Sequence, residues 1–391
     1  MLLPASGDQE LPVSQPGGPA PGNRPVYSIS AVARMLNVPV ATLRTWEDRY
    51  GQAGFRTFLY QLAGRLTAFP AASLWVGEYG PAEAATSPEF AVADAIVELA
   101  AVPLGQREQR FLHVRKLRGS GFLSGQHGYR LTPQGLRLFP RLADIPATRD
   151  YVLGGHRTTT GIAALDLMLD GGLWPGSATM VAGPSGSGKT LMALHFIYGG
   201  AGHGERGIIA TLQENPTQLN RVLTGLGWPL ASADVEVMYR SPVDIYMDEW
   251  VHDLLEAVER AGARRVAIDS LLDLQMAAVD DTRFREFMYS LAQRFSRQGI
   301  SLLTAYETRD LFSAGSLPEF AVSHLADNLI TLSYSRDRGA MSRSLAITKA
   351  RASSHDLAMR QFSIGPDGIS VGGIAIPGEG PVTGHHCSPG S

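Results

Sequence analysis

SATMVAGPSGSGKTLMALHFIYGGAG, residues 177–202, predicts a short apolar strand over 177–182, a glycine-rich turn, and a helix over 190–202 that closes at Gly199 and Gly200. The turn comprises Gly183, Pro184, Ser185, Gly186, Ser187, Gly188, Lys189 and Thr190, a complete G-x-x-x-x-G-K-[ST] loop. Glycines let backbone N–H groups curl around phosphate oxygens, and the helix start adds a favourable dipole. Lys189 reaches the β and γ phosphates of a bound nucleotide, and Thr190 can hold Mg2+. A strand before and a helix after separate this loop from a glycine-rich surface turn that merely carries a lysine.

A site of this kind also needs a carboxylate for the metal, placed at the end of a neighbouring strand. RRVAIDSLL supplies Asp269, with a strand-end cap as its plainer reading. GIIATLQENP ends a third apolar strand in Gln213 and Glu214, and Glu214 is the candidate for orienting or deprotonating water. Glu214 also reads as a first-turn acid of a helix begun by Asn215 and Pro216, so the residues alone leave both roles open. Strands over 207–213, 234–239, 265–269 and 300–306 alternate with helices over 216–226, 244–262 and 282–298. That alternation calls for a parallel sheet covered on both faces. DNLITLSYSRDRGAMSRSLAITKAR and RQFSIGPDGISV read instead as hairpins about RDRG and GPDG turns. The fold class is α/β with antiparallel C-terminal hairpins.

Composition bounds the rest. The 391 residues suit two or three domains, and 44% apolar residues suffice for sizeable cores. Lys plus Arg number 34 against 37 Asp plus Glu, a formal charge of −3, so no whole-molecule basic field recruits nucleic acid or anionic membrane. The single cysteine, Cys387, excludes a disulfide framework. The start lacks a basic segment followed by an apolar run, and no run of about 18 apolar residues follows, so the expected location is cytoplasmic, without membrane contact. Residues 1–24 and 378–391 are rich in Pro and Gly and read as disordered; HHC at 385–387 reads as tail rather than metal site.

PEFAV at Pro88–Val92 recurs at Pro318–Val322. FRTFLYQLAGRL from Phe55 pairs with FREFMYSLAQRF from Phe284, and Glu78 falls on Glu307. After a small insertion Asp94 pairs with Asp327, Arg110 with Arg343, Lys116 with Lys349, Arg118 with Arg351 and Gly135 with Gly368. Spacing held so long implies two copies of one folded unit. The first copy, within 53–148, has no phosphate loop; the complete copy occupies 149–377. Without central strands the half-copy is expected to expose a sheet edge unless it packs on the complete domain.

VYSISAVARMLNVPVATLRTWEDRYG, within 25–52, reads as two short helices about a tight turn. The second carries Thr42, Arg44, Thr45 and Arg49, side chains able to meet phosphates and base edges in a major groove. Trp46 and Tyr50 read as core anchors, and the arginines also suit a solvated face.

This stretch resembles the DNA-binding head of the MerR family, which implies a small all-α helix-turn-helix head and double-stranded DNA as a partner. From TTTGIAALDLMLDGGLWPGSATMVAGPSGSGKT through IIATLQENPTQL, SHLADNLITLSY and GAMSRSLAITKARASSHDLAMRQFSI, residues 154–372 resemble the KaiC family of circadian-clock ATPases, within the RecA type. The resemblance implies a RecA-like P-loop NTPase core with ATP and Mg2+ as cofactors and a ring, hexameric in form, built of identical subunits. Its tandem arrangement accounts for the repeat. A K-x-R element, similar to an arginine finger reaching a neighbouring subunit's nucleotide, matches Lys349 and Arg351; a solvated cationic strand is the alternative. The family's two Glu residues fall on Gln213 and Glu214, so one carboxylate is gone and slow hydrolysis rests on Glu214. Its autophosphorylated Ser-Thr pair falls on Ser323 and His324, leaving Ser323 as the acceptor.

The expected function is therefore that of a slow Mg-dependent ATPase with a regulatory role and a signalling protein as a further partner. One rival is a MerR-like transcriptional regulator that uses ATP only for assembly; another is a serine/threonine autokinase of the KaiC type. A single-strand recombinase fits poorly, because LLDLQMAAVDD after Asp269 is acidic rather than basic.

Overall fold

The structure is a computed structural model and describes residues 26–27, 54, 57–66, 68–69, 72–80, 88–105, 107–145, 150, 154–230, 232–308, 325–337 and 340–374. Thr42, Arg44, Thr45 and Arg49 lie outside the described residues, as do Trp46, Tyr50, Ser323, His324 and both Pro- and Gly-rich ends. The chain divides into two compact units, Met1–Ile96 with Arg115–Ser120, and Val97–Val114 with Gly121–Ser391.

In the first unit β1 (Val26–Tyr27) runs parallel to β2 (Ala72–Ser73). Residues 57–66 are helical and bury Leu59 and Leu62. PEFAV forms the short helix α1 (Pro88–Val92), whose Phe90 meets the Tyr79 ring edge-on at 5.0 Å while the Tyr79 hydroxyl donates to Glu89 at 2.7 Å.

A four-stranded sheet follows in the order β3 (Ala95–Leu104), β4 (Arg107–Leu117), β5 (Gln126–Thr132), β6 (Gly135–Phe139). The second unit is built on nine strands, introduced here in chain order: β7 (Ala178–Gly183), β8 (Gly207–Thr211), β9 (Val235–Tyr239), β10 (Arg265–Asp269), β11 (Ser301–Glu307), β12 (Asn328–Asp337), β13 (Ala340–Ala350), β14 (Arg360–Gly365) and β15 (Gly368–Ile374). Their spatial order is β15-β14-β13-β12-β7-β11-β10-β8-β9. From β12 to β9 every pairing is parallel; β12 to β15 are antiparallel. The expected α/β core with a hairpin extension is what forms.

The runs ATMVAG, GIIAT, RVAID and SLLTAYE are buried almost throughout, as strands covered on both faces must be. Successive residues serve opposite layers. Val181, Ile209 and Ala267 face α2 (Ala163–Met168), α3 (Lys189–Ala201) and α4 (Pro216–Gly225). Met180, Ile208 and Ile268 face α5 (Met247–Ala261), α6 (Leu271–Met276) and α7 (Asp281–Gln298). The six-residue α6 was not expected, because LLDLQM is too short to show a helical period.

Helix α3 runs through Gly199 and Gly200 instead of closing there, and Gly202 caps it. These glycines answer to packing. A Cβ on Gly199 would stand 2.6 Å from the Gly161 Cα, and one on Gly200 would stand 2.3 Å from Nε of Arg265. Arg265 is buried, paired with Glu205, and donates to the Thr159 and Phe196 carbonyls at 2.6 and 2.8 Å. A cation so buried persists because each of its donors is met. Likewise β8 stops at Thr211, two residues early, since Gln213 and Glu214 belong to the turn before α4.

From Tyr129 to Gly135 the hairpin β5/β6 reproduces the register of β14/β15, which is irregular between Arg360 and Phe362. Tyr129↔Leu138, Arg130↔Arg137 and Leu131↔Leu136 match Phe362↔Val371, Ser363↔Ser370 and Ile364↔Ile369, each shifted by 233 places. The surroundings differ. Phe362 and Ile369 pack in the layer of α3, whereas Leu131, Leu136 and Leu138 are exposed. The opposite face of β4–β6 and the segment after it meet α5 and α7 through buried Phe111, Phe139 and Leu142 and through charge: Arg130 with Glu249, Arg137 with Asp253, Arg141 with Glu286. Arg283 is the centre of that seam. It donates to Asp248 at 2.6 Å and to the Gln126 carbonyl at 3.0 Å, and lies over the Phe111 ring.

Burial pushes the Asp248 carboxyl up in pKa and Arg283 pulls it back down, so the pair is interdependent. Removing one partner leaves the other charge stranded. Arg283→Ala is expected to cost about 2–3 kcal/mol of unfolding free energy. Limited proteolysis should then release residues 107–145 early, and an unchanged melting curve and digestion pattern would refute the role given to this pair. No helix among the described residues is long and apolar enough to cross a membrane.

Candidate functional site

The loop after β7 is shaped by its glycines. Gly186 and Gly188 take φ of +72° and +107°, conformations costly for residues with a Cβ. Gly188 caps α3 without any side-chain hydrogen bond, so the first N–H groups of that helix are not claimed by a capping residue. The Lys189 ammonium donates to the Pro184 carbonyl at 2.8 Å and lies 3.7 Å from the Glu307 carboxylate. Lys189 is 7% exposed; burial lowers its pKa, while Glu307 and Asp269 oppose the fall.

Asp269 ends β10, separated from β7 by β11 alone, and is 2% exposed. Burial raises its pKa, and a hydrogen bond from the Thr190 side chain counters that. Glu214 arrives from β8. Its N–H donates to the Thr211 hydroxyl at 3.2 Å, and that hydroxyl donates to the Glu214 carbonyl at 3.1 Å. Asn215 then starts α4 in a full capping box with Gln218. Burial first, and Asp269 second, raise the Glu214 pKa, and its Oε2 is buried with no hydrogen-bond partner. Gln213 donates to the Ser270 hydroxyl at 3.2 Å, which donates to Asp273 at 2.6 Å.

Lys189, Thr190, Asp269 and Glu214 thus converge, and Lys349 and Arg351 stand elsewhere. Lys349 donates to the Ala326 carbonyl at 2.6 Å, and burial, then Arg351, lowers its pKa. Arg351 N–H donates to the Asp327 carbonyl at 3.0 Å, and its guanidinium lies 3.7 Å from the Asp327 carboxylate. That carboxylate accepts from Ala178 N–H at 2.9 Å, at the start of β7. Five strand steps of about 3.3 Å carry β7 from there to Gly183, so the Arg351–Asp327 pair lies roughly 16 Å from the loop measured along the strand. In the first unit Arg118 treats Asp94 likewise: N–H to carbonyl at 2.8 Å, guanidinium to carboxylate at 3.4 Å.

Several neighbours of the loop had no signal of their own in the sequence. Tyr334 and Arg343, paired across β12 and β13, reach the Ser185 and Gly186 carbonyls at 3.4 Å each. Ser270, Asp273 and Glu307 adjoin the site through sheet order, which no local pattern encodes. The repeat alone had singled out Glu307 and Arg343, without placing either at the loop.

Mg-nucleotide fits these residues. The uncapped helix start and positive-φ glycines suit an anion, and the unpartnered Glu214 oxygen leaves an acceptor for water. Thr190 and Asp269 offer the one or two oxygen ligands that Mg2+ takes beside substrate phosphates.

A phosphate-loop strand and helix, set in a parallel sheet with an acid on the next strand but one, define a P-loop NTPase domain of RecA-like form. The family model described as KaiC, an ATPase, matches residues 158–375, and the chain belongs to that family. Residues 27–53 match the model of the MerR HTH family regulatory protein. Circadian clock oscillator protein KaiC 1 of Synechocystis sp. is 29% identical over 324 residues, 81% of this chain and 62% of its own. KaiC of Synechococcus elongatus is 29% identical over 325 residues, 80% and 61%. Circadian clock protein KaiC3 of Synechocystis sp. is 28% identical over 378 residues, 90% and 74%. The chain spans about three fifths of the first two relatives.

Proposed function

We propose that the chain binds ATP with Mg2+ at residues 183–190 and hydrolyses it slowly within a ring of identical subunits. The observation that carries this is the convergence of Lys189, the bonded pair Thr190 and Asp269, and the buried, unpartnered Glu214 carboxylate. Lys189 and the loop N–H groups hold the phosphates; Thr190 and Asp269 would hold Mg2+, which neutralises phosphate charge when bound. Glu214 takes a proton from water as the water oxygen attacks the γ phosphorus and the bond to ADP breaks.

Lys349 and Arg351 lie too far from their own chain's loop to touch its nucleotide, which supports action on a neighbour's. The KaiC-type resemblance carries the hexameric ring and the reading of 53–148 as a truncated copy, to which the shared register adds support. DNA contact through Thr42, Arg44, Thr45 and Arg49, a signalling partner and a cytoplasmic location complete the proposal.

Mixing decides whether the site is shared. Lys189→Ala and Arg351→Ala should each be nearly inactive alone, yet the mixture should regain ATP turnover, because some interfaces then unite an intact loop with an intact Arg351. Turnover equal to the sum of the two variants would sink the shared site. Gln213 favours a second reading, in which nucleotide only sets assembly of a transcriptional regulator: its amide accepts no proton, and it is tied to Ser270. Tight binding with negligible turnover would select it, and labelled phosphate retained on Ser323 would select an autokinase.

A further inference from the structure

Two carboxylates act on the phosphate-loop lysine, a third stands beside one of them, and the three are not equivalent. Asp269 is 2% exposed and engaged by Thr190. Glu214 stands beside Asp269 with its Oε2 buried. Glu307 alone pairs with Lys189, at 3.7 Å, and its side chain is 32% exposed. Its place is dictated by the sheet. The parallel register of β11 on β7 sets Glu307 beside Gly183, the first loop residue, and Thr308 N–H fastens to the Gly183 carbonyl at 2.9 Å. The acid therefore stands at the loop with little freedom to withdraw along the strand.

We propose that Glu307 is the resident counter-ion of Lys189, a built-in competitor that a polyphosphate must displace, and that it makes nucleotide capture depend on a divalent cation. The inference rests on the nucleotide reading of the loop. When phosphate replaces the carboxylate on Lys189, Glu307 is left as an uncompensated anion next to another anion. At such separations that repulsion is substantial even with solvent near. A divalent cation among the phosphates cancels most of it. Free of metal, the same polyphosphate meets the full opposition of Glu307 and Asp269, against which stand only Lys189 and the partial charges of the loop N–H groups. Glu307 is thus a positioning residue that acts through Lys189 and sets which charge state of the ligand is accepted.

The test uses the full-length chain with ADP as probe, titrated in excess Mg2+ and in EDTA. In EDTA, Glu307→Gln is expected to bind ADP about tenfold tighter than wild type, and in Mg2+ the two should agree within about twofold. Glu307→Asp keeps the charge and should behave as wild type in both buffers, a distinction that a packing role would not produce. Should the Gln variant fail to fold, judged by its melting curve, Glu307→Ala takes its place with the same expectation. A neutral variant that binds ADP no tighter than wild type in EDTA overturns the inference while leaving the nucleotide reading intact. If wild type binds no ADP even with Mg2+, both are overturned.

Discussion

Lys189→Ala should weaken binding of Mg-ATP by about a thousandfold, with little loss of stability. The ammonium is the one cation within the loop, and the N–H groups around it contribute partial charges only. Its removal takes the counter-charge from Glu307 and Asp269, so Mg2+ alone then offsets their repulsion of the phosphates and the loss exceeds one missing attraction. Burial penalises the Lys189 charge by more than Glu307 and Asp269 favour it, so truncation gives up one backbone hydrogen bond and one ion pair at 3.7 Å while relieving that penalty, and costs little. Calorimetric titration reads the affinity, and mass in solution with and without Mg-ATP reads assembly. Wild type should gain mass on adding nucleotide and the variant should not. Equal assembly of the two would mean that the loop has no part in joining subunits.

Glu214→Gln separates binding from chemistry. The amide fills the same space but accepts no proton, so turnover should fall about a thousandfold while ATP affinity changes less than about twofold. The wild-type pH profile carries the same signature. Burial and the neighbouring Asp269 both favour the protonated acid, so the Glu214 pKa lies above the usual carboxylate range. A base works only when ionised. Turnover should therefore fall as pH drops through this raised value, sooner than an ordinary glutamate would dictate, and the variant should lack that limb. Single-turnover measurements across pH check both statements, and a variant that keeps wild-type turnover would transfer the role to another group.

The legible parts of this molecule were those written locally. Strand, loop and helix at 177–202 follow from period and punctuation, and Asp269 declared itself by ending an apolar run. The repeat was visible because strand register tolerates few slips, and β5/β6 and β14/β15 keep one register. What stayed hidden depends on elements distant in sequence. Gly199 and Gly200 looked like a helix end because nothing nearby shows that Gly161 and Arg265 press against them. Glu307, Tyr334 and Arg343 reach the loop only once β11 and β12 flank β7. The separation of the Arg351–Asp327 pair from the loop, roughly 16 Å along β7, likewise follows from strand direction, which spacing does not reveal.

The seam joining β4–β6 to α5 and α7 differs in kind from the sheet beneath it. Apolar burial holds the parallel sheet, and dissolved electrolyte at ordinary strength barely alters it. Arginine–carboxylate pairs hold much of the seam, several of them partly open to water, where screening acts within a Debye length of about 8 Å at physiological ionic strength. Rising salt therefore weakens the outer arginine–carboxylate pairs of the four-stranded sheet before it disturbs the core, while the buried Arg283–Asp248 pair and the Phe111 ring beneath it are screened far less.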